Sequence, residues 1–538
     1  MSDYNEVQVN IEPVGPGPEV IDEVSQALSE HPSVQEQLSE TRSRLLSVEL
    51  LNPVDAGKPD GLEPDRYRTT TYDYTNNRVI LTTGSLSDIQ GSMEVSESGE
   101  QPLPTSEEFE EAVEILHEDP DLGPKIREQE VKPQAAMPPL LTEATRPDGR
   151  IERTLAVLLL SRSDEARNEI VGVNMIDRTV LRFPDRAPSA ALASHATCGL
   201  PDAVNQFPTP RGWPGQYWVT ITQGGTTLWR FLVFRPSYSL GTNGSGVTLR
   251  EVDYRGKRVL YRAHAPILNV QYDGNACGPF RDWLFAESYI RANGTDVAPG
   301  IRWCPTPART ILDSPETDSG NFRGVAIYRE GQEVVVVSEL EAGWYRYISE
   351  WRLHDDGTIN PRFGFSAVEN SCTCHIHHHH VYWRFDFDIL TEGNNVVWEY
   401  NDPSLPNNTS NWHINRWEVM RPRNPASSRR WWIENSTTED AYLLIPGPND
   451  GIAHNAASFG RGDVWIVRHY DSEIDDGISA APSQAGLPQP NAPANIGGFI
   501  NGESTYNQDI AIWYAAHFTH NVQAEGHIVG PTLQAIRW

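Results

Sequence analysis

The stretch CTCHIHHHHVYWRFDFDIL, Cys372 to Leu390, places five histidines in six positions and then alternates apolar with charged residues. The run is internal, so it is not a terminal purification tag. In a strand, residues i and i+2 share a face. His375, His377 and His379 therefore line up with Val381, Trp383, Phe385 and Phe387, while His378 and His380 line up with Arg384, Asp386 and Asp388. Two imidazoles on one strand face converge on one ion from about 6–7 Å of backbone. Imidazole suits copper, zinc, iron or nickel; a solvated loop is the bland alternative. Asp386 and Asp388 face away from that site and suit a hard cation or plain water. Cys372 and Cys374, beside the histidines, offer soft ligands, a redox pair or two reduced thiols, and with His375 they form a candidate extra metal or redox site. A third imidazole must come from elsewhere. The stretch DIAIWYAAHFTHNVQAEGH supplies His517, His520 and His527, and spacing alone does not choose among them.

The rest of the chain must position these groups. Its 538 residues allow several domains and a large core. Residues 1–19 are acidic and rich in Pro and Gly, and read as disordered. Residues 20–103 and 104–190 each read as a helical stretch followed by strands, a tandem pair of α+β units. In the first, RYRTTTYDYTNNRVILTTGSL predicts two strands about an Asn-Asn turn. In the second, TSEEFEEAVEILHEDP predicts a helix capped by Thr105 or Ser106. From residue 210 to residue 538 helix signals nearly vanish. Runs such as TLWRFLVFR, QEVVVVSEL, YRYISEWRL, DVWIVRHY and DIAIWYAAHF predict a large all-β sandwich, with the Pro-rich loop Pro482 to Asn495 inside it.

The formal charge of −30, from 73 acidic and 43 basic residues, argues against nucleic acid as a partner. No apolar run of about 18 residues predicts a membrane span, and the N-terminus lacks the charged and apolar regions of a secretion signal. Five cysteines are too few for a disulfide framework. A cytoplasmic chain with reduced thiols is expected.

At HHHVYWRFDFD the chain resembles the copper amine oxidase family, whose H-x-H motif runs into a strand of R-x-D-x-D type. Anchored on Arg384, Asp386 and Asp388, the resemblance selects His377 and His379 as a copper pair. WYAAHFTH resembles the stretch that closes on the family's third copper histidine and selects His520. The resemblance also implies a peripheral calcium or manganese site of Asp386, Asp388 and Asp509, with the carbonyls of Phe387 and Ile510. It implies cystatin-like α+β N-terminal domains, a β-supersandwich and a homodimer. EAGWYRYISEWRLHDDGTI resembles the segment whose tyrosine becomes topaquinone, placing Tyr345 at the quinone position and Tyr347 at the last position of the Asn-Tyr-Asp/Glu-Tyr motif.

There the pattern breaks. Trp344 stands for the asparagine and Arg346 for the acid, and Trp344 is bulky enough to stack on Tyr345 and hold it as a phenol. Counted from Tyr272, Ala286 falls on the family's general-base aspartate; Glu287, next to it, points the other way. A positioned general base contributes about 10²–10⁴-fold, so its loss matters. Cys304 lies near the family's first disulfide cysteine, with none at the second position. The resemblance thus implies a copper-dependent, O₂-using oxidoreductase acting on a small molecule, with altered or quinone-free chemistry. The alternatives are a primary-amine oxidase with topaquinone formed from Tyr345, and a catalytically inactive copper-binding homologue.

Overall fold

A computed structural model describes residues 7–52, 58, 63–142, 145–162, 168–183, 198–200, 211–273, 277–313, 319–370, 372–453, 461–480, 494–520 and 528–538. His527 and most of the Pro-rich loop lie outside the described residues.

Two helix-first units precede the β-region. In the helix Glu19–Glu30, Val20, Val24, Ala27 and Leu28 recur at three- and four-residue steps and are the buried positions. Val20 and Val24 pack with Val48, Leu50 and Tyr67 from the strands Ser43–Leu51 and Arg66–Asp73. Those strands continue through Arg78–Ser85 and Glu94–Ser98 as a four-stranded antiparallel sheet. The second unit repeats the order, with helix Ser106–Glu118 and strands Val131–Leu141, Thr154–Ser161, Glu169–Asn174 and Thr179–Leu181. Thr105 is the cap: its hydroxyl accepts from the Glu108 amide at 3.3 Å, and its own amide donates to the Glu108 carboxylate at 3.1 Å. That carboxylate also takes Arg153 at 2.5 and 2.6 Å and the Tyr74 hydroxyl at 2.6 Å, tying the two units together without solvent. Val131–Leu141 carries three prolines, which hid it as a strand; it lies at the edge of its sheet, where a missing N–H is tolerated.

The start of the chain corrects an expectation. Val7–Val14 is a strand, paired antiparallel with Gln216–Gln223. Val7, Val9 and Ile11 alternate with polar residues and pack on the main core, a period of two that the acidic composition had obscured.

The β-region is two large sheets, one of ten strands and one of twelve. Lys257–Tyr272, His377–Phe387 and Ile510–His520 run side by side in the first. Glu333–Ala342, Tyr345–His354 and Ile359–Ala367 form a meander in the second. Val381, Trp383, Phe385 and Phe387 all enter the shared core, where Phe385 meets Trp351 and Trp383 meets Phe363 of the opposite sheet edge-on. The hairpin joining Ala342 to Tyr345 is closed by Gly343 and Trp344. Gly343 has φ +58°, and a Cβ there would meet the Met137 side chain at 2.6 Å, so glycine is required. Among the described residues no helix is long and apolar enough to cross a membrane.

Candidate metal centre

Strand alternation and sheet register build the site. His377 and His379 point inward from one strand, and register places His520 opposite His377 on the next. The His377 ring lies 5.0 Å from that of His379 and 4.8 Å from that of His520, centroid to centroid. His377 Nδ1 donates to the His375 carbonyl at 2.7 Å, which leaves Nε2 as the free lone pair. Nε2 of His377 and Nε2 of His379 are buried without a hydrogen-bond partner among the described residues. Burial, then the neighbouring His520, pushes His377 down to about 3. Burial and His377 likewise hold His379 far below the usual imidazole range. Neutral, buried, unpartnered imidazole nitrogens are what a transition metal requires.

The triad is nonetheless open. Among the described residues, three ligand atoms come within 4.8 Å of one another in two other groups, Cys198/Glu369/Cys374 and Asp386/His469/Asp509. The ring of Phe365 packs among the imidazoles, 4.0 Å from His379 and 5.4 Å from His520.

Tyr345 faces the histidines across the sandwich, its ring 5.0 Å from His379 and 5.8 Å from His377. Its hydroxyl is hydrogen-bonded to Tyr272, which register places opposite His377. Burial drives its pKa well above the usual phenol value. Trp344 does not stack on Tyr345: the rings meet edge-on at 6.3 Å, because the hairpin turn directs them differently, and Tyr345 stacks on Tyr347 instead at 5.5 Å. Arg346, on the opposite strand face, bonds the carbonyls of Gly343 and Tyr345 and lies 3.7 Å from Glu341.

Ala286 is buried and offers no base. Glu287 is held by Arg235 and the Ser237 amide in a separate ion pair. With Trp283, Phe285 and Gly343, Ala286 lines a cavity of about 100 Å³ between the second N-terminal unit and the sandwich. The carboxylate near the tyrosines is Asp282, which sequence reasoning missed: it accepts from the Tyr347 hydroxyl. Burial pushes Asp282 up to about 7, against the Tyr347 hydrogen bond and the charge of Arg281. Its signal was a lone acid in the apolar run FRDWLF.

The cysteines overturn the reduced-thiol expectation. Cys198 pairs with Cys374 and Cys277 with Cys372, leaving Cys304 free and buried. The extra metal or redox site of Cys372, Cys374 and His375 is therefore not formed. The Cys374 amide donates to the Asn370 carbonyl and the His375 amide to the Cys372 carbonyl, each at 3.0 Å, and the two sulfurs reach different partners. His375 Nε2 contacts the Asp273 carbonyl at 2.7 Å. On the far strand face His378 meets Thr519 and Asp273, and His380 pairs with His517 at 2.9 Å.

The three aspartates of the proposed peripheral site do converge, but around Lys58. Its Nζ lies 2.7 Å from Asp386, 2.6 Å from Asp388 and 2.7 Å from Asp509. Phe387 and Ile510 are cross-strand partners beside the cluster. This arrangement does not fit a resident calcium or manganese ion, because the ammonium takes the point where the ion would sit.

Residues 360–535 match the family model "Copper amine oxidase, enzyme domain". A primary amine oxidase of Klebsiella aerogenes is 23% identical over 380 residues, covering 52% of this chain and 48% of that protein, so the match spans about half of the relative. A copper-containing benzylamine oxidase from Hansenula polymorpha shares the fold over 98% of both chains, with a TM-score of 0.61 at 13% identity. Aspergillus nidulans amine oxidase does so over 97% of this chain and 88% of that one, at 0.55 and 13%. Residues 360–535 thus resemble the copper amine oxidase enzyme domain, and the chain shares the fold of the copper amine oxidases. The matched segment holds the three histidines and begins after Tyr345, where the motif departs.

Proposed function

We propose that the chain is a copper-dependent, O₂-using oxidoreductase on the amine oxidase scaffold, with chemistry altered from the family's. The observation that carries this is the pair of neutral, buried Nε2 atoms of His377 and His379, without a hydrogen-bond partner among the described residues and set beside the buried phenol of Tyr345. His377, His379 and His520 would hold the ion, which when bound supplies a redox-active centre for dioxygen. Around it the chain's own residues do the positioning. His375 fixes the His377 tautomer through its carbonyl, and Tyr272 fixes the Tyr345 hydroxyl. Asp282 holds or releases a proton near neutrality while its Oδ2 accepts from the Tyr347 hydroxyl. With Ala286 at the base position, no carboxylate there removes a substrate proton, so the family's amine route lacks its usual group. The apolar cavity ending at Ala286 and Gly343 favours a small substrate with an apolar body. A homodimer is proposed on the family resemblance alone. The two disulfides favour an oxidising compartment over the cytoplasm.

The test is copper loading in air of the native chain and of His377→Ala and His520→Ala, followed by metal analysis and oxygen uptake with amines, phenols and thiols. One copper per native chain, lost in both variants, with oxygen uptake on at least one substrate, is expected. Unchanged copper stoichiometry in the variants refutes the triad. Phenylhydrazine labelling of the Tyr345 peptide would move the reading to primary-amine oxidation through a quinone. A second reading, an inactive copper-binding homologue, draws on Phe365 packed among the imidazoles; copper binding without oxygen uptake would favour it.

A further inference from the structure

The three-aspartate pocket at the other end of the histidine strand is built for a cation. Asp386 leaves the outer face of the strand His377–Phe387, Asp388 directly follows that strand, and Asp509 directly precedes the neighbouring one, Ile510–His520. Each turns one oxygen, Oδ1, to a common point. That point is taken by a side chain from more than three hundred residues earlier, as the separation of 328 between Lys58 and Asp386 records. An ammonium carries three N–H donors and no acceptor, and here each carboxylate accepts one. Lys58 is 3% exposed, Asp386 0% and Asp388 4%, so two of the three bonds are shielded from water, while Asp509 is 25% exposed.

We infer that Lys58 is the resident cation of this pocket and stands in place of a divalent metal ion. Two considerations carry this. The first is space: calcium binds oxygens at about 2.3–2.6 Å, so an ion in the pocket would sit where Nζ sits, and the two exclude each other. The second is charge. Beyond Lys58, His469 Nδ1 lies 2.7 Å from the second oxygen of Asp386, and Arg384 Nη1 lies 3.5 Å from it. Lys58, His469 and Arg384 thus face these carboxylates and Asp471, which lies 3.2 Å from His469 Nε2, so most of the cluster's charge is balanced within the chain. The consequence is a change of dependence. The end of this sheet is fastened by the Lys58 side chain, not by the supply of calcium or manganese.

Terbium(III) and calcium titrations of the copper-loaded full chain test this, with Tyr261, whose ring lies 5.1 Å from Nζ, as a luminescence donor. The native chain is expected to show no saturable site in the micromolar range and no shift of its melting temperature with calcium or EDTA. Lys58→Ala is expected to gain one site per chain, with at least a hundredfold tighter binding, and a melting temperature that rises with calcium. Lys58→Ala/Asp388→Asn is expected to lose that site again. A native chain that binds one calcium or terbium within tenfold of Lys58→Ala overturns the inference, as does a folded Lys58→Ala that gains no site. Should Lys58→Ala not fold, amine acetylation of the native chain decides. Its four lysines are Lys58, Lys125, Lys132 and Lys257. Lys125 and Lys257, 40% and 41% exposed, should react while Lys58 stays unmodified with or without calcium. Calcium-dependent labelling of Lys58 would show the ion displacing it and sink the inference.

Discussion

Asp282 offers the sharpest pH-dependent test of the site. Burial disfavours its charged form, so the folded chain keeps its proton up to about pH 7, although the Tyr347 hydroxyl and Arg281 act the other way. In the unfolded chain an aspartate releases its proton near pH 4, at about 3.9. Between those values the folded state binds a proton that the unfolded state lacks. Stability contributed by this group therefore falls as pH rises, by about 1.4 kcal/mol per pH unit and by about 4 kcal/mol across the window, with no further loss above about pH 7. Asp282→Asn keeps an oxygen to accept from Tyr347 and cannot ionise. Its stability relative to the native chain should rise by about 3 kcal/mol between pH 5 and pH 8. The neutral histidines contribute with the opposite sign: His377 and His379 titrate low in the fold, so their stability is lost as pH falls below the unfolded value of about 6.5. That contribution cancels when the two proteins are compared at each pH. Urea unfolding of both proteins at pH 5 and pH 8 is the assay. A constant difference at the two pH values would refute the reading of Asp282 as a carboxyl that stays protonated in the fold.

Three further outcomes are expected. Arg153→Met leaves Glu108 charged and buried, with both side chains at 0% exposure in the native pair; it should cost about 3–5 kcal/mol in urea unfolding, and a loss under about 1 kcal/mol would show that Arg153 is not what balances the buried Glu108. Cys277→Ser/Cys372→Ser opens a link of 95 residues beside the histidine strand; stability should drop by about 2–5 kcal/mol, and Ellman titration of the unfolded native chain should find one thiol, Cys304. Phe365→Leu removes a ring 4.0 Å from His379; copper affinity should rise about tenfold, equivalent to about 1.4 kcal/mol, and a weaker or unchanged affinity in competition titration would mean that Phe365 does not hinder copper binding.

Much of the metal centre was legible because it depends on one strand's geometry. Side chains alternate with period two wherever the backbone is extended, so the division of His377, His379, Val381, Trp383, Phe385 and Phe387 from His378, His380, Arg384 and Asp386 could be read without coordinates, and the packing agrees. The same local rule, with capping chemistry, gave the helix beginning after Thr105 and the alternation of the large β-region. Where composition spoke against pattern, as in the acidic strand Val7–Val14 and the proline-bearing strand Val131–Leu141, the local reading failed.

What only the tertiary structure decided is which distant segments meet. His520 joins His377 because the register of two antiparallel strands puts them opposite, while His517, three residues earlier, falls to His380 on the other face. Asp282 reaches Tyr347, Cys372 and Cys374 turn to separate partners, and Lys58 crosses 451 residues of sequence to Asp509. Periodicity is a property of each backbone segment by itself. Convergence is set by sheet order and by the free energy of burying charges and sulfurs together, and neither is written in the spacing of any one stretch.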